Sequence, residues 1–321
     1  MRFVFVMDPL ITVHHQKDTT FAFIRAAQAR GHESYHCMHG DLSIAGGEAY
    51  ARVRRVAVHD APPYISFVSS GEGSPERERV RLSDADAIFI RKDPPFDRSY
   101  LYATLVLENA RKCPLILNDP RGLRDANEKL YALNFPEWTP RTIVTADPEE
   151  IHAFAREFGS AVVKPLDGAG GMGVLRLTPG DKNGRAIVDM LTFEGRRLAM
   201  AQEYLPSVVE GDKRILLLDG EPLGSILRVP RSDDLRSNIH VGGSVVPTEL
   251  TERELAMVQA ITPKLRADGL FFVGLDVIGG RLTEVNVTSP TGIQELNRFT
   301  GVDHAAKVVA WAEERVRAVR S

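Results

Sequence analysis

The sequence predicts an α/β protein, with a first domain on a buried parallel sheet followed by smaller parts that mix strands and helices. Three observations lead there. Continuous apolar runs at residues 3–7, 87–90 and 115–117 read as strands covered on both faces. A glycine stretch from Gly168 to Gly173 lies between two strands. Near the end of the chain, apolar runs flank Gly279 and Gly280 and read as a β-hairpin that carries acids.

At 321 residues the chain is long enough for two or three domains and a large core. A formal net charge of −3 gives no electrostatic footprint for nucleic acid. Cys37 and Cys113 stand far apart without ligand spacing, which argues for a reducing compartment. The first apolar run meets Asp8-Pro9 too soon for a signal peptide, and no run is long enough to span a bilayer. The expectation is a cytoplasmic protein that engages neither nucleic acid nor membrane.

Taken in order, the strand at 3–7 is followed by no glycine-rich turn, so the first domain lacks a dinucleotide fingerprint. Asp18 or a neighbouring Thr caps a helix that runs through Phe21, Phe23, Ile24 and Ala27 to Gly31. Residues 69–81 have the composition of an exposed, mobile loop. The strand at 87–90 delivers Arg91 and Lys92 at its carboxyl end, where open α/β sheets bind ligands. Two cations there suit a carboxylate; solvated surface charge is the alternative. A helix is expected over residues 124–135, carrying Asn127, Glu128 and Lys129, and Lys164 ends a buried strand at 161–166.

Gly168, Gly170 and Gly173 match G-x-G-x-x-G, but that fingerprint needs a helix after it. Here a second strand (174–177) and a turn follow, and no Gly-Lys-Ser/Thr closes the loop as a P-loop requires. What remains is a glycine loop joining two strands, able to fold its N–H groups over a polyphosphate. An ordinary hairpin tip is the alternative. Strands are expected at 200–206, 215–218 and 226–230, and helices at 252–268 and 302–319. Residues 231–244 combine charges and paired glycines with no apolar periodicity, a length that is usually functional or disordered.

In the hairpin, Glu284 and Asn286 share a face because side chains alternate along a strand. A two-residue Gly279-Gly280 loop would pair Asp276 with Thr283 and turn it away. A three-residue loop would pair Asp276 with Glu284. Two facing carboxylates repel, so that register requires a cation, and hard oxygen ligands suggest Mg²⁺ or Mn²⁺. A solvated hairpin face is the alternative.

The order of these parts resembles the ATP-grasp superfamily and, from end to end, the bacterial glutathione synthetase family. The resemblance is carried by Asp8-Pro9, Lys17-Asp18, Arg91-Lys92-Asp93-Pro94-Pro95-Phe96, Asn127-Glu128-Lys129, Lys164-Pro165-Leu166-Asp167-Gly168, Gly211-Asp212-Lys213-Arg214, and Glu284 with Asn286-Val287-Thr288-Ser289-Pro290-Thr291. It implies an ATP-grasp fold: a Rossmann-like domain at 1–122, a small lid subdomain at 123–200 and a C-terminal α+β subdomain at 201–321. It also implies a reaction in which ATP, γ-glutamylcysteine and glycine give glutathione, ADP and phosphate through an acyl phosphate.

Roles follow residue by residue from the resemblance. Lys129, Lys164, Gly168, Gly170 and Gly171 would meet the ATP phosphates, and Gln202, Glu203, Tyr204, Leu205 and Asp212 the adenine and ribose. Glu203 stands where close relatives are expected to have an amide. Asp276, Glu284 and Asn286 would hold Mg²⁺ or Mn²⁺. Arg91, Arg214, Arg228, Asn238, Ser289 and Pro290 would bind the peptide, with Arg214, Arg228 and Lys164 acting at the acyl centre. The glycine loop and residues 229–243 would close as a lid, and a homotetramer or homodimer is implied. Three rivals are a ligase for another carboxylate and amine, a non-catalytic ATP-binding protein, and a nicotinamide oxidoreductase.

Overall fold

The computed structural model describes residues 1–68, 77–230 and 244–321. Its first sheet has the expected parallel centre. Strand β1 (Arg2–Met7) pairs in parallel with β2 (Glu33–Cys37), and β3 (Leu42–Ala45), β4 (Glu48–Val58) and β5 (Ile65–Phe67) extend that side. On the other side β1 pairs in parallel with β7 (Ala87–Arg91), and β7 with β8 (Leu115–Leu117). Helix α1 (Thr19–Ala29) starts where expected, because the Asp18 carboxylate accepts the Phe21 N–H at 2.8 Å. Residues 69–76 of the anticipated loop lie outside the described residues. The remainder is a correction: β6 (Glu78–Arg81) pairs with β4. Only Val80 of this edge strand is buried, so its charged composition hid it.

After α2 (Arg98–Leu107), the expected helix over 124–135 is not continuous. Asp119 and Pro120 instead start a short helix, α3 (Pro120–Asp125), and a 3₁₀ turn follows at Tyr131–Asn134. The cause is Asn127, whose side-chain oxygen accepts the N–H groups of Lys129 and Leu130, each at 3.1 Å. A side chain that takes over backbone donors in this way competes with the helical ladder.

A small antiparallel sheet comes next, in the order β11-β10-β12-β9: β9 (Thr142–Thr145), β10 (Ala161–Pro165), β11 (Leu175–Leu177) and β12 (Ala199–Glu203). Helices α4 (Pro148–Glu157) and α5 (Gly184–Thr192) pack against it around Ile151, Phe154, Val163, Leu177 and Val188. That cluster draws its buried members from this segment alone.

The third sheet, β15-β14-β13-β16-β17, is antiparallel throughout. It consists of β13 (Asp212–Leu218), β14 (Glu221–Val229), β15 (Ser244–Thr248), β16 (Phe272–Ile278) and β17 (Arg281–Asn286). Helix α6 (Glu252–Ala267) opens with a Thr251–Glu254 capping box. The expected C-terminal helix is α8 (His304–Arg320), and it is preceded by a helix not foreseen, α7 (Ile293–Thr300), between Gly292 and Gly301.

The first and third sheets share one core. Phe23 of α1 meets Phe272 of β16 edge-on at 5.1 Å, and Phe5 stacks on Phe89 at 4.8 Å. Asn118, just after β8, joins the two by hydrogen bonds. Its Nδ2 donates to the carbonyls of Phe272 and Val287 (2.9 and 2.8 Å), and its Oδ1 accepts from the N–H groups of Phe271 and Phe272 (2.9 and 2.8 Å).

Candidate active site

The ends of all three sheets line one cavity of about 650 Å³. The hairpin that carries the acids resolves the register question in an unforeseen way. Ile278 pairs with Arg281 and Val277 with Leu282, so the turn has two residues, Gly279 and Gly280. Their φ values of +55° and +72° are what such a turn needs. The ladder then slips by one at Thr283, and Asp276 pairs with Glu284 after all. Turn length was therefore the wrong indicator; the β-bulge, not a longer loop, brings the two acids together.

Side chains of the protein provide the cations that balance these acids. Arg214 grips Asp276 with two bonds (Nε 2.5 Å, Nη2 3.0 Å), and Arg228 Nη2 lies 2.9 Å from the same carboxylate and 2.5 Å from Asp212. All four groups are buried. Burial opposes the charge on Asp276, yet the two guanidiniums outweigh it and hold its carboxyl below the usual carboxylate range. Asp212, which accepts from Arg228, is pushed up to about 6, chiefly by burial, with Arg228 opposing. On Arg228 burial works against the charge, but Asp212 and Asp276 raise its pKa further.

Lys129 Nζ lies 3.0 Å from Glu284 and donates to the Gly168 carbonyl at 2.5 Å, tying the acid strand to the glycine loop. That loop joins β10 to β11, as expected. Gly168 cannot be replaced freely, since a Cβ there would lie 2.9 Å from the Met172 carbonyl oxygen. Lys164 Nζ donates to Gln202 Oε1 at 2.8 Å, and Gln202 in turn donates to Thr142. Burial pulls the Lys164 pKa down, with Glu284 opposing. Glu203, Tyr204 and Leu205 line the same cavity, where the Arg176 guanidinium lies 4.0 Å over the Tyr204 ring.

Arg91 is buried, so solvated surface charge is excluded for it. It donates to Thr20 Oγ1 (3.2 Å) and to the Pro290 carbonyl (3.0 Å), with the rings of Phe23 and Phe272 beside it. The neighbouring cation does not join it: Lys92 pairs with Asp8 at 3.0 Å. Ser289 and Pro290 follow β17 and complete this end of the cavity. Asn238 and the lid proposed for residues 229–243 fall on residues 231–243, outside the described residues, apart from the end of β14. Every other nominated residue lines the cavity.

Sequence reasoning missed four acids of this cavity: Glu128, Asp18, Asp93 and Glu295. In the sequence Asp18 reads as a helix cap and, with Lys17, as part of the resemblance, and Glu128 only as part of a motif. Glu295 lies on the unforeseen α7 and keeps Oε2 buried without a partner. Among the described residues no trio of His, Cys, Asp and Glu gathers as a metal site. A cation here therefore rests on two carboxylates and an amide. Glu284 Oε2 and Asn286 Oδ1 accept no hydrogen bond from the described residues, and Asp276 stands opposite. The hard oxygens of Glu284 and Asn286, on one face of β17, fit Mg²⁺ or Mn²⁺, while both oxygens of Asp276 already accept from Arg214.

Two family models match the chain: the N-terminal domain of prokaryotic glutathione synthetase over residues 1–124, and its ATP-grasp domain over residues 128–301. The chain belongs to the prokaryotic glutathione synthetase family. A glutathione synthetase from Synechocystis sp. is 44% identical, covering 98% of this chain and all of that one. One from Vibrio vulnificus is 43% identical, covering 98% and 97%. The fold is also shared with two solved proteins. The D-cycloserine synthetase DcsG has a TM-score of 0.64 at 16% identity, covering 98% of this chain and 99% of that one. The ATP-grasp ligase PsnB, complexed with a precursor peptide and AMPPNP, has a TM-score of 0.61 at 18% identity, covering 98% and 97%. Membership makes the chain an ATP-dependent ligase, and no helix among the described residues is long and apolar enough to cross a membrane.

Lys164 gives this site a direct check. Lys164→Ala should leave the small sheet folded, because its core lies on other side chains, and should lower turnover by roughly 10²-fold, the usual scale for one preorganised charge contact. Steady-state rates on a variant with unchanged circular dichroism decide it; near-normal turnover would remove Lys164 from the site.

Proposed function

We propose that this cavity joins the cysteinyl carboxylate of γ-glutamylcysteine to the amine of glycine at the expense of ATP. The observation that carries the proposal is the opposition of charges within one cavity. Lys129, Lys164, Arg214 and Arg228 supply positive charge, while Asp276, Glu284 and Asn286 line up on the adjoining hairpin.

A carboxylate is a poor acyl donor. The peptide carboxylate oxygen therefore attacks the γ-phosphorus, the bond to the ADP oxygen breaks, and an acyl phosphate forms. The glycine amine then attacks the acyl carbon, loses a proton, and phosphate leaves with its electron pair. Lys129 and Lys164 neutralise the phosphates, and the glycine loop covers them. Gln202, Glu203, Tyr204 and Leu205 seat the adenine, with Asp212 toward the ribose. Arg91, Ser289 and Pro290 hold the peptide, and Arg214 and Arg228 stabilise charge at the acyl centre. Glu284, Asn286 and Asp276 would hold Mg²⁺ or Mn²⁺, and that ion would supply charge neutralisation at the phosphates.

The same reading assigns a Rossmann-like domain to 1–122, a lid subdomain to 123–200 and a C-terminal subdomain to 201–321. In support, the core of the small sheet is self-contained. It also assigns a cytoplasmic location and a homotetramer or homodimer.

The test is substrate dependence. With Mg²⁺ and ATP, phosphate release should need both γ-glutamylcysteine and glycine, because a water-labile acyl phosphate must be formed in a closed site. Rapid release without glycine would indicate a simple ATPase. Activity only with another carboxylate and amine would keep the ligase and reject this substrate pair.

A further inference from the structure

We propose that Glu128 is a positioning residue for the peptide wall, fixing the backbone that presents Ser289 and Pro290; the inference rests on reading that wall as the peptide site. Strand β17 ends at Asn286, so the residues after it have no ladder partner to hold them. Glu128 takes over that task. Its Oε1 accepts three hydrogen bonds, from Val287 N (3.0 Å), Thr288 N (3.1 Å) and Thr288 Oγ1 (2.8 Å). Its own carbonyl accepts Val285 N at 2.9 Å.

Val287 is thereby held at both ends, by Glu128 at its N–H and by Asn118 at its carbonyl. Two residues further on, the Pro290 carbonyl accepts Arg91. The wall is thus pinned at Val287, Thr288 and Pro290, with Ser289 between the pins. Glu128 touches none of the groups assigned to ATP. Its neighbours do that work: Asn127 donates to the Leu166 carbonyl and Lys129 to that of Gly168. Of these three consecutive residues, Asn127 and Lys129 hold the backbone at the glycine loop, and Glu128 holds the peptide wall.

The position is an awkward one for a charge. Burial disfavours its ionised form, with Glu284 adding repulsion, and the three donors oppose both. What the wall requires is an acceptor oxygen rather than a negative charge. A neutral amide provides the same oxygen in nearly the same place.

The experiment compares Glu128→Ala and Glu128→Gln with the wild type, varying γ-glutamylcysteine and ATP separately. Glu128→Ala should raise the KM for the dipeptide by roughly 10-fold or more, because three bonds are lost together, and change the KM for ATP by less than about 3-fold. Glu128→Gln should restore the dipeptide KM to within about 3-fold of wild type. A parallel rise in both KM values, or a Gln variant as impaired as the Ala variant, would overturn the proposal. If Glu128→Ala does not fold, Thr288→Val decides, since it removes the hydroxyl bond alone. Its dipeptide KM should rise by roughly 3-fold, and an unchanged value would overturn the inference. A wild type with no dipeptide-dependent release would overturn the peptide reading and this inference together. A dipeptide-dependent wild type with indifferent Glu128 variants would overturn this inference alone.

Discussion

Glu284→Gln should abolish phosphate release and, with it, any isotope scrambling between bridging and non-bridging oxygens of ATP incubated with the dipeptide. Glu284 contributes in two ways. It pairs with Lys129, and it leaves Oε2 open beside Asn286. The amide keeps the shape but loses the charge, so the oxygen is a poorer ligand for a divalent cation and Lys129 loses its counter-ion. The loss should be about 10³-fold or more, the scale on which removing preorganised charge acts on a transferring group. The fold should survive, because β17 is held by its ladder and by Glu128 rather than by this side chain. Scrambling is the decisive readout, since it reports phosphoryl transfer before glycine attacks. A folded variant that scrambles within about 10-fold of wild type would remove Glu284 from the transfer step.

Arg228→Ala should cost both rate and stability. The guanidinium is shared between Asp212 and Asp276, all three groups are buried, and Arg214 pairs with Asp276 and donates to the Thr291 carbonyl. Removing the shared cation takes from the buried Asp212 the guanidinium that Arg228 Nη2 supplies, and takes from Asp276 one of its two. Breaking a buried pair from one side usually costs about 3–5 kcal/mol. If Arg228 acts at the acyl centre as proposed, turnover should fall by about 10²-fold or more through the lost charge. Denaturant unfolding and steady-state kinetics measure the two separately. Arg228→Ala combined with Asp212→Asn should recover part of the stability and none of the rate. Full recovery of both would make the cluster purely structural.

The buried parallel strands, the glycine loop without a following helix and the acid hairpin were legible because each follows from local periodicity or turn chemistry. Lys129 and Lys164 were legible by their order along the chain. What could not be read depended on a single side chain or on a slip in register. Asn127 interrupts a helix by capturing two backbone donors, which no apolar pattern reveals. The bulge at Thr283 moves Asp276 by one residue, and only the pairing itself discloses it. Glu128 and Glu295 sit among residues with no distinguishing spacing, and their roles come from long-range contacts. Strand β6 shows the converse: a sequence that is mostly charge becomes ordered when a longer strand lies beside it.

Asn118 sets a limit on how this chain could be recombined. All four of its amide hydrogen-bonding positions are spent on backbone groups at the start of β16 and just past the end of β17, although it follows the last strand of the first sheet. Aspartate would lose the two donors, and leucine would leave four main-chain groups to find other partners. A chimera spliced between two relatives near residue 122 would therefore inherit a lock from one parent and a keyhole from the other. The two matched modules, ending at residue 124 and beginning at 128, are thus stitched together by one amide side chain reaching across the boundary.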